Sequence, residues 1–239
     1  MNKFVKFGLP LLALGLLGAG WWLGLAWAPP DREMGDVQRI MYVHVPLQWM
    51  AMVMMLVNFI AAVTYLLKSQ ASWALDSTAE AAAEVGLLLG TAGMITGAIW
   101  GRPTWGVYWS WDPRLTSEAI MLVTYAGYLV LRRFVEDPDK RATWSAVVAI
   151  IGAINLPIVW FSVRWWRSLH QVQSSPKTVD PQMVIPLRVA AFGMLALTLF
   201  FLIIRYRQAL AERRAEVALP DALPGDPSSP LAHNPSKVA

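Results

Sequence analysis

Six apolar runs, each close to twenty residues long, dominate this sequence. Their approximate bounds are residues 8–28, 45–67, 81–100, 115–132, 144–163 and 183–204. A helix of about twenty apolar residues spans the ~30 Å hydrocarbon core of a bilayer, and only short connections are left between the runs. The sequence therefore predicts an all-α integral membrane protein, a bundle of six transmembrane helices, with residues 1–210 as one domain.

The distribution of basic residues predicts the orientation of this bundle. An even number of spans places both termini on one side of the membrane. Of the 20 Lys and Arg residues, 12 fall on the side of the termini and eight on the other. Because basic residues collect on the cytoplasmic side, both termini are predicted to be cytoplasmic, and segments 29–44, 101–114 and 164–182 to be outer. Residues 211–239, rich in Ala, Pro, Ser and Asp, are predicted to form a disordered cytoplasmic tail.

The composition excludes several classes of protein. A chain that is 56% hydrophobic and 15% charged is not expected to be a water-soluble domain. The net charge of +4 is explained by membrane topology and gives no reason to expect nucleic acid as a partner. The chain has no Cys, which rules out disulfides and thiolate metal ligands. It also lacks a phosphate-binding loop, so a partner would have to supply any energy from ATP.

The outer loop at residues 101–116 is the most unusual segment, because it contains the sequence WGVYWSWDPRLT from residue 105. An aromatic belt at a membrane interface scatters its residues along helix ends. Here Trp105, Tyr108, Trp109 and Trp111 crowd into one loop. In a short interfacial helix, residues 105, 108 and 109 would share one face. That face would be an apolar shelf suited to a flat, aromatic ligand.

The chain has three histidines, two of which are expected at the outer face. His233 lies in the tail, where we expect it to be solvated. His44 begins the second span and His170 follows the fifth, so the topology places them at similar depth. A single histidine at a membrane interface is more often structural than a ligand. A pair at matched depth beside an aromatic loop favours axial ligation of haem iron, whereas zinc would need further ligands that are scarce here.

Two arginines and one acid near these residues have both structural and functional interpretations. Asp112 followed by Pro113 is typical of a helix N-cap with proline at the first helical position, and this interpretation is preferred to a role in recognition. Arg114 would then lie in the first helical turn. Arginine binds carboxylates through paired hydrogen bonds, which suits the propionates of haem. Arg39, shortly before His44, is a further candidate.

Two other patterns in the spans are predicted to serve packing. Glycines recur every three or four residues in the third span, which lets helices approach closely and favours packing over chemistry. They are Gly86, Gly90, Gly93, Gly97 and Gly101. Asn155 and Pro157 in the fifth span could mark a kink. An ordinary interhelical hydrogen bond from Asn155 is the preferred explanation.

Three segments carry a resemblance to a known family: WGVYWSWDPRLT, RIMYVHVP around His44 and RWWRSLHQ around His170. They resemble the tryptophan-rich haem-handling proteins of cytochrome c maturation, and most of all the CcmC family. The match covers all six helices in order. The resemblance implies that haem b binds at the periplasmic face of the bacterial inner membrane, with His44 and His170 as axial ligands. The further site residues that it implies are Trp105, Trp109, Trp111 and Asp112 as a platform for haem and chaperone, with Arg39 and Arg114 in support.

The resemblance also implies partners for this chain. Haem would be presented to the haem chaperone CcmE, to which it becomes covalently attached before delivery to apocytochrome. The ABC transporter subunits CcmA and CcmB and the small membrane protein CcmD would complete the assembly in the lipid bilayer. The implied role of this chain is delivery and presentation of haem rather than catalysis.

Three other functions are weighed against this one. A transmembrane electron-transfer cytochrome would need a second haem toward the inner side, where the spans contain no histidine. A permease subunit would need polar residues near the bilayer midplane, and apart from Asn58, Asn155 and a few Ser and Thr the spans are interpreted as apolar. A haem-free membrane scaffold, whose tryptophan loop docks a protein partner, is the remaining alternative.

Overall fold

The computed structural model describes residues 2–68, 72–170 and 179–218, and it confirms an all-α, six-helix membrane protein. The helices are α1 Phe4–Trp27, α2 Asp36–Leu67, α3 Trp73–Trp105, α4 Pro113–Phe134, α5 Pro138–Trp165 and α6 Pro181–Ala218. Each predicted apolar run coincides with one of these helices. Five of them, all except α4, are long and apolar enough to cross a membrane.

Helix α4 differs because three of its four charged residues lie on the side that faces the other helices. Arg114, Glu118 and Arg132 are all buried in the bundle. Without water in a bilayer, ionisable side chains are stable only when they turn inward and meet polar partners. The composition of α4 is therefore that of a helix whose polar side is covered by its neighbours.

Helices α2 and α3 pack along each other at the centre of the bundle. Helices α1 and α6 pack on one side of this pair, and α4 and α5 pack on the other. An apolar core joins α2, α4 and α5, and its members include Met55, Met121, Tyr125 and Val159. A second core joins α1 and α6 to the central pair, and its members include Leu17, Met54, Leu89 and Met194.

The contact between α1 and α6 depends on glycine. A Cβ atom on Gly20 would lie 2.6 Å from the backbone nitrogen of Ala190, and one on Gly193 would lie 2.7 Å from the backbone nitrogen of Leu17. Neither distance leaves room for a side chain. The backbones of the first and last helices are thus in direct contact, as small residues allow in membrane bundles.

The tryptophan loop does not form the predicted short helix. Helix α3 ends at Trp105 because Gly106 adopts the left-handed conformation, with φ of 82°, that closes a helix. Residues 106–112 are not helical. Helix α4 then begins as expected, with Asp112 as N-cap, Pro113 at the first position, and a 2.8 Å hydrogen bond from the backbone N–H of Arg114 to Asp112 Oδ1.

Helix α5 is broken at Ile154 into the segments Pro138–Ala153 and Asn155–Trp165. Pro157 has no N–H to donate to the carbonyl of Ala153 one turn earlier, which explains a break at this point. Asn155 Nδ2 donates to the carbonyl of Ser117 on α4. The preferred interhelical hydrogen bond is confirmed, and the kink is present as well.

The last helix extends beyond the predicted end of the domain. Helix α6 continues past residue 210 as far as Ala218. The rest of the predicted tail, including His233, lies outside the described residues, as do residues 171–178 of the third outer segment.

Candidate functional site

His44 from α2 and His170, just after α5, lie beside each other at one end of the bundle. Their ring centroids are 6.4 Å apart and their planes are inclined by 41°. Two metal–nitrogen bonds of about 2 Å, plus half the width of each imidazole, add up to about 6 Å. The distance between the rings therefore suits two imidazoles that share one metal ion, and ligation itself stays a prediction.

The surroundings of His44 determine which ring nitrogen could bind a metal. His44 is buried, and its Nδ1 lies 2.9 Å from the carbonyl oxygen of Gly93. A carbonyl only accepts hydrogen bonds, so Nδ1 carries the proton and Nε2 is the basic nitrogen. A Cβ on Gly97 would come within 2.8 Å of His44 Cε1, so the glycine makes room for the ring. A metal-binding histidine is typically oriented by such a second hydrogen bond.

The backbone that carries His170 is held by Asp112. Asp112 Oδ2 accepts the N–H of Leu169 at 2.7 Å, and Oδ1 accepts the hydroxyl of Ser168 at 2.9 Å. The N–H of His170 in turn donates to Ser168 Oγ at 3.0 Å. Asp112 is thus both the N-cap of α4 and an anchor for the segment that bears the second histidine.

Aromatic side chains surround the two imidazoles. Trp100 meets His44 edge to face at 5.6 Å, and Trp105 lies 6.1 Å from His170. Both histidines line a cavity of about 230 Å³, and Trp105, Tyr108 and Trp109 line it too. The three aromatic residues of the predicted shelf therefore line one cavity, with Trp105 at the end of α3 and Tyr108 and Trp109 in the non-helical segment 106–112.

Trp111 does not belong to this wall. It is 83% exposed, and it contacts Trp109 edge to face at 5.7 Å between ring centroids. Its indole is presented to the outside beside the cavity. The tryptophan loop thus has an inner part that lines the cavity and an outer part that is available for contact.

The two predicted arginines do not line the cavity. Arg114 is buried, donates to the carbonyl of Val159 on α5, and lies 4.0 Å from Glu118. Arg39 pairs with Asp36 at 2.8 Å and donates to backbone carbonyls at the end of α1. Both guanidinium groups therefore hold helices in place, and nothing in the lining of the cavity assigns them to haem propionates.

The interpretation of the spans as apolar is wrong at two positions. Two polar residues of the spans line the cavity. Gln48 and Glu118 line the cavity and are buried, and Gln48 Nε2 donates to Glu118 Oε1. An ionisable residue inside an apolar run is a signal of a functional site. A glutamine one helical turn after His44, on the same face, is a second signal.

The glycines of α3 serve this site as well as packing. Gly90 faces the side chain of Leu122, as expected for close helix contact. A Cβ on Gly93 would lie 2.7 Å from Gln48 Nε2, and Gly97 makes the corresponding space for His44. The row of glycines therefore lets two polar side chains of α2 lie against α3.

The donor set fits a haem. Among the described residues, no group of three or more His, Asp or Glu side chains is arranged to hold a metal ion. A porphyrin brings four nitrogens of its own and needs the protein only for axial ligands, which two histidines could supply. The aromatic wall provides the apolar surface that a macrocycle requires.

Comparison with known proteins identifies the family of this chain. The sequence model of the family Heme exporter protein C, CcmC, matches residues 2–219. The chain is 40% identical over 211 residues to heme exporter protein C of Bradyrhizobium diazoefficiens, covering 87% of this chain and 74% of the relative. It is 38% identical over 212 residues to that of Haemophilus influenzae, covering 86% and 84%. It is 34% identical over 209 residues to that of Escherichia coli K12, covering 84% and 83%. The chain belongs to the CcmC, or heme exporter protein C, family.

Proposed function

We propose that this chain binds haem b between His44 and His170 and presents it to the haem chaperone CcmE during maturation of c-type cytochromes. Membership of the heme exporter protein C family supports a role in haem handling for cytochrome c maturation. The observation that carries the ligand assignment is the 6.4 Å separation of the two imidazole rings inside an aromatic cavity.

Each part of the site has a defined task in this proposal. The carbonyl of Gly93 fixes the tautomer of His44, so that Nε2 points its lone pair toward a metal. Asp112 holds the segment of His170. Trp105, Tyr108 and Trp109 exclude water from one side of the macrocycle. Bound haem supplies the macrocycle that the chaperone receives.

The proposed setting is the bacterial inner membrane, with both termini in the cytoplasm and the cavity open to the periplasm. The excess of basic residues on the side of the termini supports this orientation. CcmA, CcmB and CcmD would assemble with the chain, and ATP hydrolysis would occur on CcmA. The exposed indole of Trp111 is the contact that the chain offers to the chaperone.

The test is an optical spectrum of the purified protein, oxidised and reduced, with haem measured per chain. The expected result is one low-spin, six-coordinate haem, lost or converted to another coordination state in His44→Ala and in His170→Ala. The third histidine provides the control, because His233→Ala should leave the spectrum unchanged. A full complement of low-spin haem in both site variants would refute the ligand assignment.

A further inference from the structure

The cavity beside the two histidines contains a buried carboxylate that axial ligation does not use. Glu118 lines the same cavity as His44 and is only 6% exposed. Gln48 lies one helical turn from His44 on α2, and its Nε2 donates to Glu118 Oε1. The amide of Gln48 thus fixes the carboxylate on the cavity wall.

One cation lies near the carboxyl group of Glu118. Its nearest cation is Arg114, whose Nη2 lies 4.0 Å from Oε2, and Arg114 also donates to the carbonyl of Val159. No Lys or Arg is among the residues that line the cavity in the described part of the chain. The carboxyl group of Glu118 therefore faces the cavity, whereas the guanidinium group of Arg114 is not part of the lining.

We infer that Glu118, ionised beside Arg114, tunes the redox state of the bound haem, favouring the oxidised iron and lowering its reduction potential. This inference rests on the proposed function. Oxidised haem between two neutral imidazoles has a net positive charge on its core, and the reduced core is neutral. A carboxylate in a buried, weakly polar environment interacts strongly with that charge difference. With Glu118 ionised in both oxidation states, the equilibrium involves one electron and no proton.

The test is a spectroelectrochemical titration of the haem-loaded protein. Glu118→Gln removes the charge and keeps an oxygen to accept from Gln48, so the axial ligands should be retained. We expect the ratio of oxidised to reduced haem at a fixed potential to fall about tenfold, which is a positive shift of about 59 mV for a one-electron couple. Glu118→Met, also neutral and similar in size, should shift the potential in the same direction.

Two controls separate charge from structure. Glu118→Asp keeps the carboxylate and should leave the potential close to that of the unmodified protein. Glu33→Gln removes the other carboxylate of the cavity lining, which is exposed, so water should screen it and the shift should be small.

Two results would overturn the inference. One is an unchanged potential in the neutral variants, and the other is an equal shift in Glu118→Asp and Glu118→Gln. The inference and the proposed function fail differently. If the haem is low-spin but its potential does not change in the Glu118 variants, only the inference is contradicted. If the haem spectrum does not change when His44 or His170 is replaced, the proposed function is contradicted.

Discussion

The carboxylate of Asp112 accepts a 2.7 Å hydrogen bond from the backbone N–H of Leu169, the residue before His170. The same side chain caps α4 by accepting from the N–H of Arg114 at 2.8 Å. The start of α4 and the second histidine are therefore parts of one hydrogen-bonded unit. The acid of the tryptophan motif is thus linked to the proposed ligand His170 through the backbone of the preceding residue.

Asp112→Asn should weaken haem binding without unfolding the chain. Asparagine is a good N-cap, but with only one oxygen it cannot accept from Arg114, Ser168 and Leu169 together. Loss of a group that orients a metal ligand typically costs about 10- to 100-fold in affinity, and we expect a loss in this range in a haem titration. Asp137→Asn is the matched control, since Asp137 caps α5 before Pro138 in the same way and is exposed. Equal haem affinity in the two variants would contradict the anchoring role.

Gly97→Ala should abolish the low-spin haem spectrum. The new Cβ would lie 2.8 Å from His44 Cε1, so the imidazole would have to leave its position against α3. Gly127→Ala on α4 is the control, because its Cβ would meet nothing within 4 Å. There the change should be neutral, or stabilise the helix by up to about 1 kcal/mol. Normal haem binding by Gly97→Ala would show that His44 does not need its observed orientation.

Trp105→Leu and Trp111→Leu should separate haem binding from transfer. Trp105 lies against His170 and lines the cavity, so its loss should lower the haem content of the purified protein. Trp111 is exposed outside the cavity, so its loss should leave the haem content unchanged and reduce the yield of haem-linked CcmE. The measurements are haem per chain and a gel stained for covalent haem. The prediction fails if Trp111→Leu loses haem as Trp105→Leu does.

Asp76→Asn should destabilise the bundle without changing the haem site. Arg132 binds both carboxylate oxygens of buried Asp76, at 2.7 and 3.0 Å, and also binds Glu80 at 2.8 Å. Removing one partner of a buried pair costs roughly 3 kcal/mol, measurable as a lower midpoint of thermal unfolding in detergent. At 1.5 Å per residue, Asp76 lies about 30 Å along α3 from Gly97. Haem per folded chain should therefore be unchanged.

The control for Asp76 is Glu84→Gln on the same helix. Glu84 pairs with Arg205, and both side chains are partly exposed, at 22% and 30%. An ion pair in such a position contributes up to about 1 kcal/mol. A loss of stability as large as that of Asp76→Asn would show that burial does not distinguish the two pairs.

The six helices could be predicted from the sequence because the length of an apolar run follows from the thickness of the bilayer. The N-cap at Asp112 could be predicted because it depends on neighbouring residues alone. The proximity of His44 and His170 followed from topology, which assigns both to one end of the bundle. All three inferences use local or one-dimensional information.

The other features of the site depend on which side chains contact each other between helices, and these contacts could not be predicted from the sequence. Glu118 points inward and accepts a hydrogen bond from Gln48 only when α4 has a particular rotational orientation relative to α2. Hydropathy does not specify that orientation. Arg39 and Arg114 are predicted to bind propionates, and the sequence does not show that each donates to a backbone carbonyl, at Ala28 and at Val159, away from the lining of the cavity. A short helix around Trp109 is not formed, because Gly106 ends α3 in a left-handed conformation. Glycine can adopt this conformation but does not have to, so the sequence alone does not predict it.

The backbone contact between α1 and α6 has a consequence for biosynthesis. Helix α1 is synthesised before the other five helices and packs mainly against α6, which is synthesised after them, with Gly20 touching Ala190 and Gly193 touching Leu17. While the intervening helices are being inserted, the surface of α1 around Leu17 and Gly20 lacks this neighbour. Closure of the bundle is therefore a late event, and a chain truncated before residue 181 would leave α1 in the membrane without its principal partner.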